Sequence, residues 1–391
     1  KVDRVNHFPK PKMYDIKDTL SSQDLPSAIT MIKEYLKKQN LVELNIGVTG
    51  ESGSGKSTFV NAFRGLGDEE EGSAKTGVVE TTTEPAVYLH PKYKNVKVWD
   101  LPGIGTPNFK ADEYLKLVQF KRYDFFIIIA SDRECHTQLA TEIMKMKKRF
   151  YFVRSKIDLS IEAEKRKKNF DLKNTLDIIR KDCLRKIGIE DPVVFLIFGW
   201  EFGKYDLNVL QERMEKELPQ HKRRVLMLAL PNITLEINER KKKALEENIG
   251  KVAFLSACMA AVPVPGLSIA VDLAIIAVEI EKYCNTFGLD KESLEKLCEK
   301  YGKRLENVEG LINSAWYQRL CTGSIIAILR EISFLITEDA VESAVRFIPI
   351  LGSVAAGVMS YCTVSTMLKS ALNEVAEDAR KVLISLLETE V

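Results

Sequence analysis

The residues whose types and spacing could do chemistry begin with Gly50-Glu51-Ser52-Gly53-Ser54-Gly55-Lys56-Ser57, a full GxxxxGKS pattern. Glycines at this spacing let backbone N–H groups of Gly50, Gly53, Ser54 and Gly55 turn inward around a phosphate chain. Lys56 would reach the β- and γ-phosphates, Ser57 would offer its hydroxyl to Mg²⁺, and Thr58 would carry the cradle into the helix behind it. The flanking residues fit, because the apolar run Leu44–Val48 leads in and the helix-like Thr58–Arg64 leads out. A second phosphate element is Asp100-Leu101-Pro102-Gly103, directly after the run Val96–Trp99. Asp100 at a strand end would hold the Mg²⁺ shell, and the Gly103 N–H would meet the third phosphate and serve hydrolysis together with Lys56. Alone an Asp-x-x-Gly is common, but in this order behind a P-loop it is specific.

Base identity falls to Ser155-Lys156-Ile157-Asp158, which follows a strand ending at Val153 and resembles the Asn/Thr-Lys-x-Asp element of GTPases. In that family the aspartate accepts from the guanine N1–H and exocyclic amine while the lysine stem covers the base; an adenine would leave the carboxylate buried and unpaired. Ser155 stands for the usual Asn or Thr and keeps a hydroxyl. The last base-contacting loop should follow Val193–Ile197, and here it reads Phe198-Gly199-Trp200 in place of a more polar turn, with Gly199 as the backbone contact. Between the two phosphate elements lies Lys75–Thr83, a threonine-rich stretch in the place of a first switch. Thr82, with Thr81 beside it, is the best placed to ligate Mg²⁺ in the triphosphate state; the bland alternative is a β-branched loop entering a strand.

Placing these groups requires a parallel sheet. From Leu41 to about Pro219, strand-like runs at Leu44–Val48, Val87–His90, Val96–Trp99, Phe125–Ile129, Phe150–Val153 and Val193–Ile197 alternate with helical ones, the signature of a doubly wound α/β sheet. Ahead of it, Ser21–Asp24 could cap an amphipathic helix through Ile29, Ile32 and Leu36. Beyond Pro219 amphipathic stretches such as Thr234–Glu247, Glu292–Lys300 and Ala371–Leu387 follow one another without a strand, so a helical domain is expected there, with the N-terminal helix as part of its packing.

The bulk properties agree. At 391 residues more than one folding unit is expected. Lys+Arg 57 against Asp+Glu 55 leaves a net charge of +2, which argues against nucleic acid as a partner. Four histidines without ligand spacing make a histidine zinc site a poor reading, and seven scattered cysteines without a CxxC suggest a reducing compartment. No secretory leader is visible, and because no starting Met is present an N-terminal lipidation signal is left open.

Taken together, the segments GESGSGKST, AKTGVVETT, WDLPGIGTPNF, YDFFIIIAS, KKRFYFVRSKID and LPQHKRR resemble the immunity-related, interferon-inducible GTPases. FGLDKESLEKL and NEVAEDARKVL are similar to that family's C-terminal helical region, and VPVPGLS and FIPILGS to its testis-type and fish branch. The resemblance implies an α/β, Ras-like P-loop GTPase domain over residues 41–219, flanked by an all-helical domain built from an N-terminal segment, 1–40, and a C-terminal one, 220–391. It implies a dynamin-like enzyme that binds GTP and GDP with Mg²⁺ and forms homodimers or oligomers through its GTPase domain in the GTP state. Related GTPases would be further partners. It would lie in the cytoplasm, peripherally on intracellular membranes including pathogen vacuoles, in cell-autonomous immunity. Ile104 stands where a Ras-like enzyme has its water-orienting glutamine; by resemblance Glu51 and Glu80 complete hydrolysis across a nucleotide-facing dimer. Thr76 and Thr82 match switch threonines whose modification by a kinase would repel nucleotide.

Two uncharged stretches, Val252–Val271 and Phe347–Leu368, are long enough for membrane spans, but Pro263, Pro265 and Gly266 in one and Pro349 and Gly352 in the other break helices. Buried bundle helices, or a shallow membrane-touching hairpin, fit them better, with the basic run Arg240–Lys243 as a headgroup contact or, more simply, a solvated face. A rival of another class is a binding switch that holds nucleotide and scarcely turns it over, for which the missing glutamine speaks.

Overall fold

The structure, a computed structural model, describes residues 15, 19, 25–38, 42–77, 84–103, 111–131, 137–145, 147–187, 193–198, 205–260, 267–314, 317–318 and 356–387. They divide into two compact units, Val42–Ile233 and a second formed by Thr234–Val391 together with Lys1–Leu41.

The first unit is a six-stranded sheet, β1 (Leu44–Gly50), β2 (Ala86–Leu89), β3 (Val96–Asp100), β4 (Phe125–Ala130), β5 (Arg149–Arg154) and β6 (Val194–Leu196), in the order β2-β3-β1-β4-β5-β6. Five strands run parallel; β2 alone is antiparallel, paired with β3. Its reversal follows from a short connection, since the turn between Leu89 and Val96 is too brief for the crossover that a parallel pair needs. The sequence-based strands match these within a residue or two. β4, Phe-Phe-Ile-Ile-Ile-Ala, is buried along its length, as expected of a central parallel strand covered on both faces, whereas Val87 and Leu89 on the edge strand are exposed.

Among the described residues the α-helices are, in chain order, α1 (Leu25–Lys38), α2 (Lys56–Phe63), α3 (Ala111–Leu117), α4 (Thr137–Lys145), α5 (Ile157–Lys165), α6 (Leu172–Ile187), α7 (Leu207–Glu217), α8 (Gln220–Ala229), α9 (Leu235–Ala260), α10 (Leu267–Phe287), α11 (Lys291–Tyr301), α12 (Leu305–Glu309) and α13 (Ala356–Leu387). One apolar cluster, including Tyr123, Phe126, Ile128, Leu139, Ile157 and Leu196, fills the space between the sheet and α3–α6.

The boundary expected at Pro219 is displaced, because α8 belongs to the sheet unit and not to a helical domain starting at residue 220. The cause is visible in its contacts. Lys222 pairs with Asp124 just ahead of β4; the same carboxylate accepts the Asn45 N–H of β1 at 2.9 Å, and Val225–Ala229 are buried.

The second unit is helical. α1 contributes buried Ile32 and Leu36, and it packs on α10. Asp290 caps α11 by accepting the Ser293 N–H at 3.1 Å, and Gly302 at φ 63° ends that helix in the left-handed conformation. α9, α10 and α13 lie against one another around several buried polar groups. The basic run is not one solvated face: Arg240 pairs with Glu236, and Lys241, 2% exposed, donates to the Thr286 carbonyl in the last turn of α10 at 2.8 Å. Each uncharged stretch falls partly on described residues, the first ending α9 and opening α10, the second opening α13; residues 261–266 and 347–355 lie outside them. Among the described residues, no helix is long and apolar enough to cross a membrane.

The Asp272 carboxylate of α10 accepts the hydroxyls of Ser256 on α9 and of Ser360 on α13, the latter at 2.6 Å. Burial raises its pKa, opposed by those two hydrogen bonds. A carboxyl raised in the folded state binds a proton there first, so its contribution to stability is full below the unfolded value of about 4 and is lost as pH rises through the folded value. Asp272→Asn keeps an acceptor and cannot ionise. The variant should therefore gain a few degrees in melting temperature at pH 7, with the gain shrinking toward pH 4, as thermal unfolding at the two pH values would read.

Candidate nucleotide site

The site starts where β1 must leave the sheet. Gly50 has φ 146°, and a Cβ there would lie 1.9 Å from the Ile129 carbonyl oxygen on β4, so only glycine fits. Gly53 and Gly55 follow at φ 73° and 90°, which turns the chain back into the start of α2. Gly55 precedes the first turn of that helix, whose N–H groups and dipole favour an anion. Lys56 is 8% exposed; its ammonium donates to the carbonyls of Glu51 at 2.7 Å and Gly50 at 3.3 Å, centred in the loop where a phosphate chain would be cradled.

Ser57 donates to Asp100 Oδ2 at 2.8 Å, bringing a hydroxyl from α2 and a carboxylate from the end of β3 together. Asp100 is 1% exposed, and the Leu101 N–H to the Val48 carbonyl, 3.0 Å, extends the β1–β3 pairing to its position. Adjacent hydroxyl and carboxylate oxygens form the hard donor set that Mg²⁺ takes beside phosphates, so these two residues fit the ion.

On the base side, β5 ends at Arg154, and Ser155 donates to the Ser54 carbonyl of the P-loop at 2.6 Å. Its hydroxyl also lies 3.2 Å from the Ala130 carbonyl. The serine in the place of Asn or Thr thus links the segment expected to read the base to the loop of Gly50–Gly55. Lys156, exposed, takes the left-handed conformation at φ 53° and opens α5, with Asp158 in its first turn. Two polar atoms here are buried without a hydrogen-bond partner among the described residues, Asp158 Oδ1 and Ser54 Oγ. Burial of an acceptor without a donor is costly unless a bound molecule supplies one.

Several expected residues behave differently. The Thr58 hydroxyl faces Asp68 at 3.5 Å, so its side chain is turned from the cradle, and Thr76 is exposed. Glu51 takes part through its carbonyl. Gly103 is described and directly follows Pro102, whereas Glu80, Thr81, Thr82, Ile104 and Gly199 lie outside the described residues.

Two residues that sequence reasoning passed over brace the route to the first switch. Asn61 on α2 holds Ala74 from both ends, accepting its N–H at 2.6 Å and donating to its carbonyl at 3.0 Å, while also donating to Asp68. Arg64, one turn on, donates to the carbonyls of Gly72 at 2.9 Å and Leu89 at 3.0–3.1 Å, and its guanidinium lies 5.3 Å from the Tyr88 ring centroid. The available signal was two polar residues on one face of a short helix otherwise directed into the core.

A P-loop, a Ser–Asp pair joining the start of α2 to the end of β3, and a carboxylate with one buried oxygen in the first turn of α5 define the class: a P-loop guanine-nucleotide-binding protein. The chain belongs to the interferon-inducible GTPase family, whose model, described as Interferon-inducible GTPase (IIGP), matches residues 10–386. It is 41% identical over 392 residues to Interferon-inducible GTPase 5 of Bos taurus, covering 97% of this chain and 83% of that one. It is 39% identical to Interferon-gamma-inducible GTPase 10 of Mus musculus over 78% of this chain and 75% of the relative, and 40% identical to Interferon-inducible GTPase 1 of Mus musculus over 72% and 70%.

Ser155→Ala should lower GDP affinity about 3- to 10-fold, the worth of one hydrogen bond, while Ser155→Thr keeps the link. Calorimetric titration of the three proteins with GDP reads the difference directly.

Proposed function

We propose that this GTPase binds GTP and GDP with Mg²⁺ and hydrolyses GTP by in-line attack of water, completed between the GTPase domains of two copies. The observation that carries the nucleotide reading is the convergence of Lys56, the Ser57–Asp100 pair and Asp158 Oδ1 along the ends of neighbouring parallel strands. Lys56 and the N–H groups of the loop and of α2 would bind and orient the β- and γ-phosphates, Ser57 and Asp100 would hold Mg²⁺, and the Gly103 N–H would meet the third phosphate. Bound Mg²⁺ offsets charge on the β- and γ-phosphates.

Ile104 leaves the chain without a water-orienting side chain directly after Gly103. A carboxylate from Glu80, with Glu51, is the reading for that task, accepting the proton from attacking water across the dimer. Partners would be a second copy or related GTPases, with action in cell-autonomous immunity. A peripheral contact with intracellular membranes from the cytoplasmic side is supported by the exposed ring of Phe254 within the uncharged stretch that ends α9. The isoleucine equally favours a second reading, a switch with negligible turnover.

Two experiments test this. Asp158→Asn replaces an acceptor by a donor facing the purine edge; the expected result is a preference moved from GTP toward xanthosine triphosphate, with GTP affinity lower by about 100-fold or more. Retained GTP preference would remove Asp158 from base reading. Glu80→Ala should leave GTP affinity within about threefold, because Lys56 and the loop amides hold the phosphates, yet lower turnover by ~10²–10⁴-fold and abolish its rise with protein concentration. Wild-type turnover that is slow and independent of concentration would favour the switch.

A further inference from the structure

We propose that Tyr114 is a positioning residue for the third phosphate, its hydroxyl orienting the Gly103 amide by holding the carbonyl at the other end of the same peptide bond. This rests on the reading of Gly103 as a phosphate-contacting residue.

Tyr114, on α3, is 7% exposed, and its phenol donates to the Pro102 carbonyl at 3.0 Å. The Thr49 hydroxyl lies 2.7 Å away, fully buried at the end of β1 beside Gly50. A carbonyl only accepts, and a phenol has one proton. That proton therefore goes to Pro102, and Thr49 donates to the phenolic oxygen. Burial pushes the Tyr114 phenol above its ordinary range, so it remains a donor at any working pH. The result is a fixed chain, from the strand that ends in the P-loop, through the ring on α3, to the backbone of the second phosphate element.

The peptide between Pro102 and Gly103 is planar and trans, so its C=O and N–H point in opposite directions. Fixing the carbonyl therefore fixes the amide. Such control is needed here, because on the Gly103 side there is no Cβ to resist rotation of the peptide plane. With the carbonyl drawn down to the buried phenol, the Gly103 N–H is turned to the opposite side, away from the core. The hydroxyl is the only part of the ring with this role; the rest of Tyr114 packs in the apolar cluster and would be kept by phenylalanine.

The test is Tyr114→Phe compared with wild type, by titration with GDP and with the slowly hydrolysed analogue GTPγS, alongside thermal unfolding and single-turnover hydrolysis of GTP. The expected result is GDP affinity within about twofold of wild type, GTPγS affinity lower by about five- to tenfold, and hydrolysis slowed in parallel. Thr49→Val leaves the Tyr114–Pro102 bond but loses its anchor, so it should shift the same ratio by less. A merely structural hydroxyl would lower melting temperature and both affinities together; that outcome overturns the proposal, as does an unchanged GTPγS-to-GDP ratio or one moved toward GTPγS. GDP binding by both proteins reports an intact cradle, so an unchanged ratio then speaks against Tyr114 alone. Wild-type protein that bound neither nucleotide would overturn the underlying nucleotide reading and this inference with it.

Discussion

The site depends on one close approach, that of the Gly50 Cα to the Ile129 carbonyl. Any side chain at that point would enter the backbone of β4, so the chain leaves the sheet there by a path open only to glycine. From that exit the loop turns tightly enough for Lys56 to be drawn inside and for α2 to start with its N-terminus over the same point. Ser57 then falls within hydrogen-bond reach of Asp100 on the neighbouring strand. The cation, the dipole and the oxygen donors thus converge because one strand ends against another, and no one of them is placed independently.

A contrast in the use of polar groups separates the two units. In the sheet unit, a buried polar atom such as Asp158 Oδ1 is left without a partner among the described residues, where a ligand could complete its hydrogen bonding. In the helical unit they complete one another: Asp272 joins three helices through two serines, the Asn238 amide reaches the Ala376 carbonyl at 3.0 Å, and Asp378 accepts the Ser314 N–H at 2.8 Å. Paired polar groups of this kind add little net stability but specify alignment, since a helix that slid along its neighbour would leave them buried and unmatched.

Much of this was legible in the sequence for a physical reason. Parallel strands in a core are short continuous apolar runs, and phosphate loops need glycine at fixed intervals, so β1, β3, β4 and β5, the P-loop and Asp100 each carry a local signal. The partners that brace them do not. Asn61, Arg64 and Tyr114 act across 7 to 65 residues of chain, and nothing in a helical window distinguishes an asparagine that holds Ala74 from one facing water. The direction of β2 was likewise set by the length of the turn after it, and the end of the sheet unit by the Lys222–Asp124 ion pair, which couples positions far apart in the chain.

That ion pair makes α8 part of the sheet unit and marks where that unit ends. Val225, Leu226, Met227, Leu228 and Ala229 are buried within the sheet unit. A fragment ending at Pro219 would strip away a hydrophobic cover and leave Asp124 without its ammonium, so it would tend to self-associate for reasons unrelated to nucleotide. One ending after Ile233 would retain both and be the smallest piece in which association driven by GTP could be separated from simple stickiness.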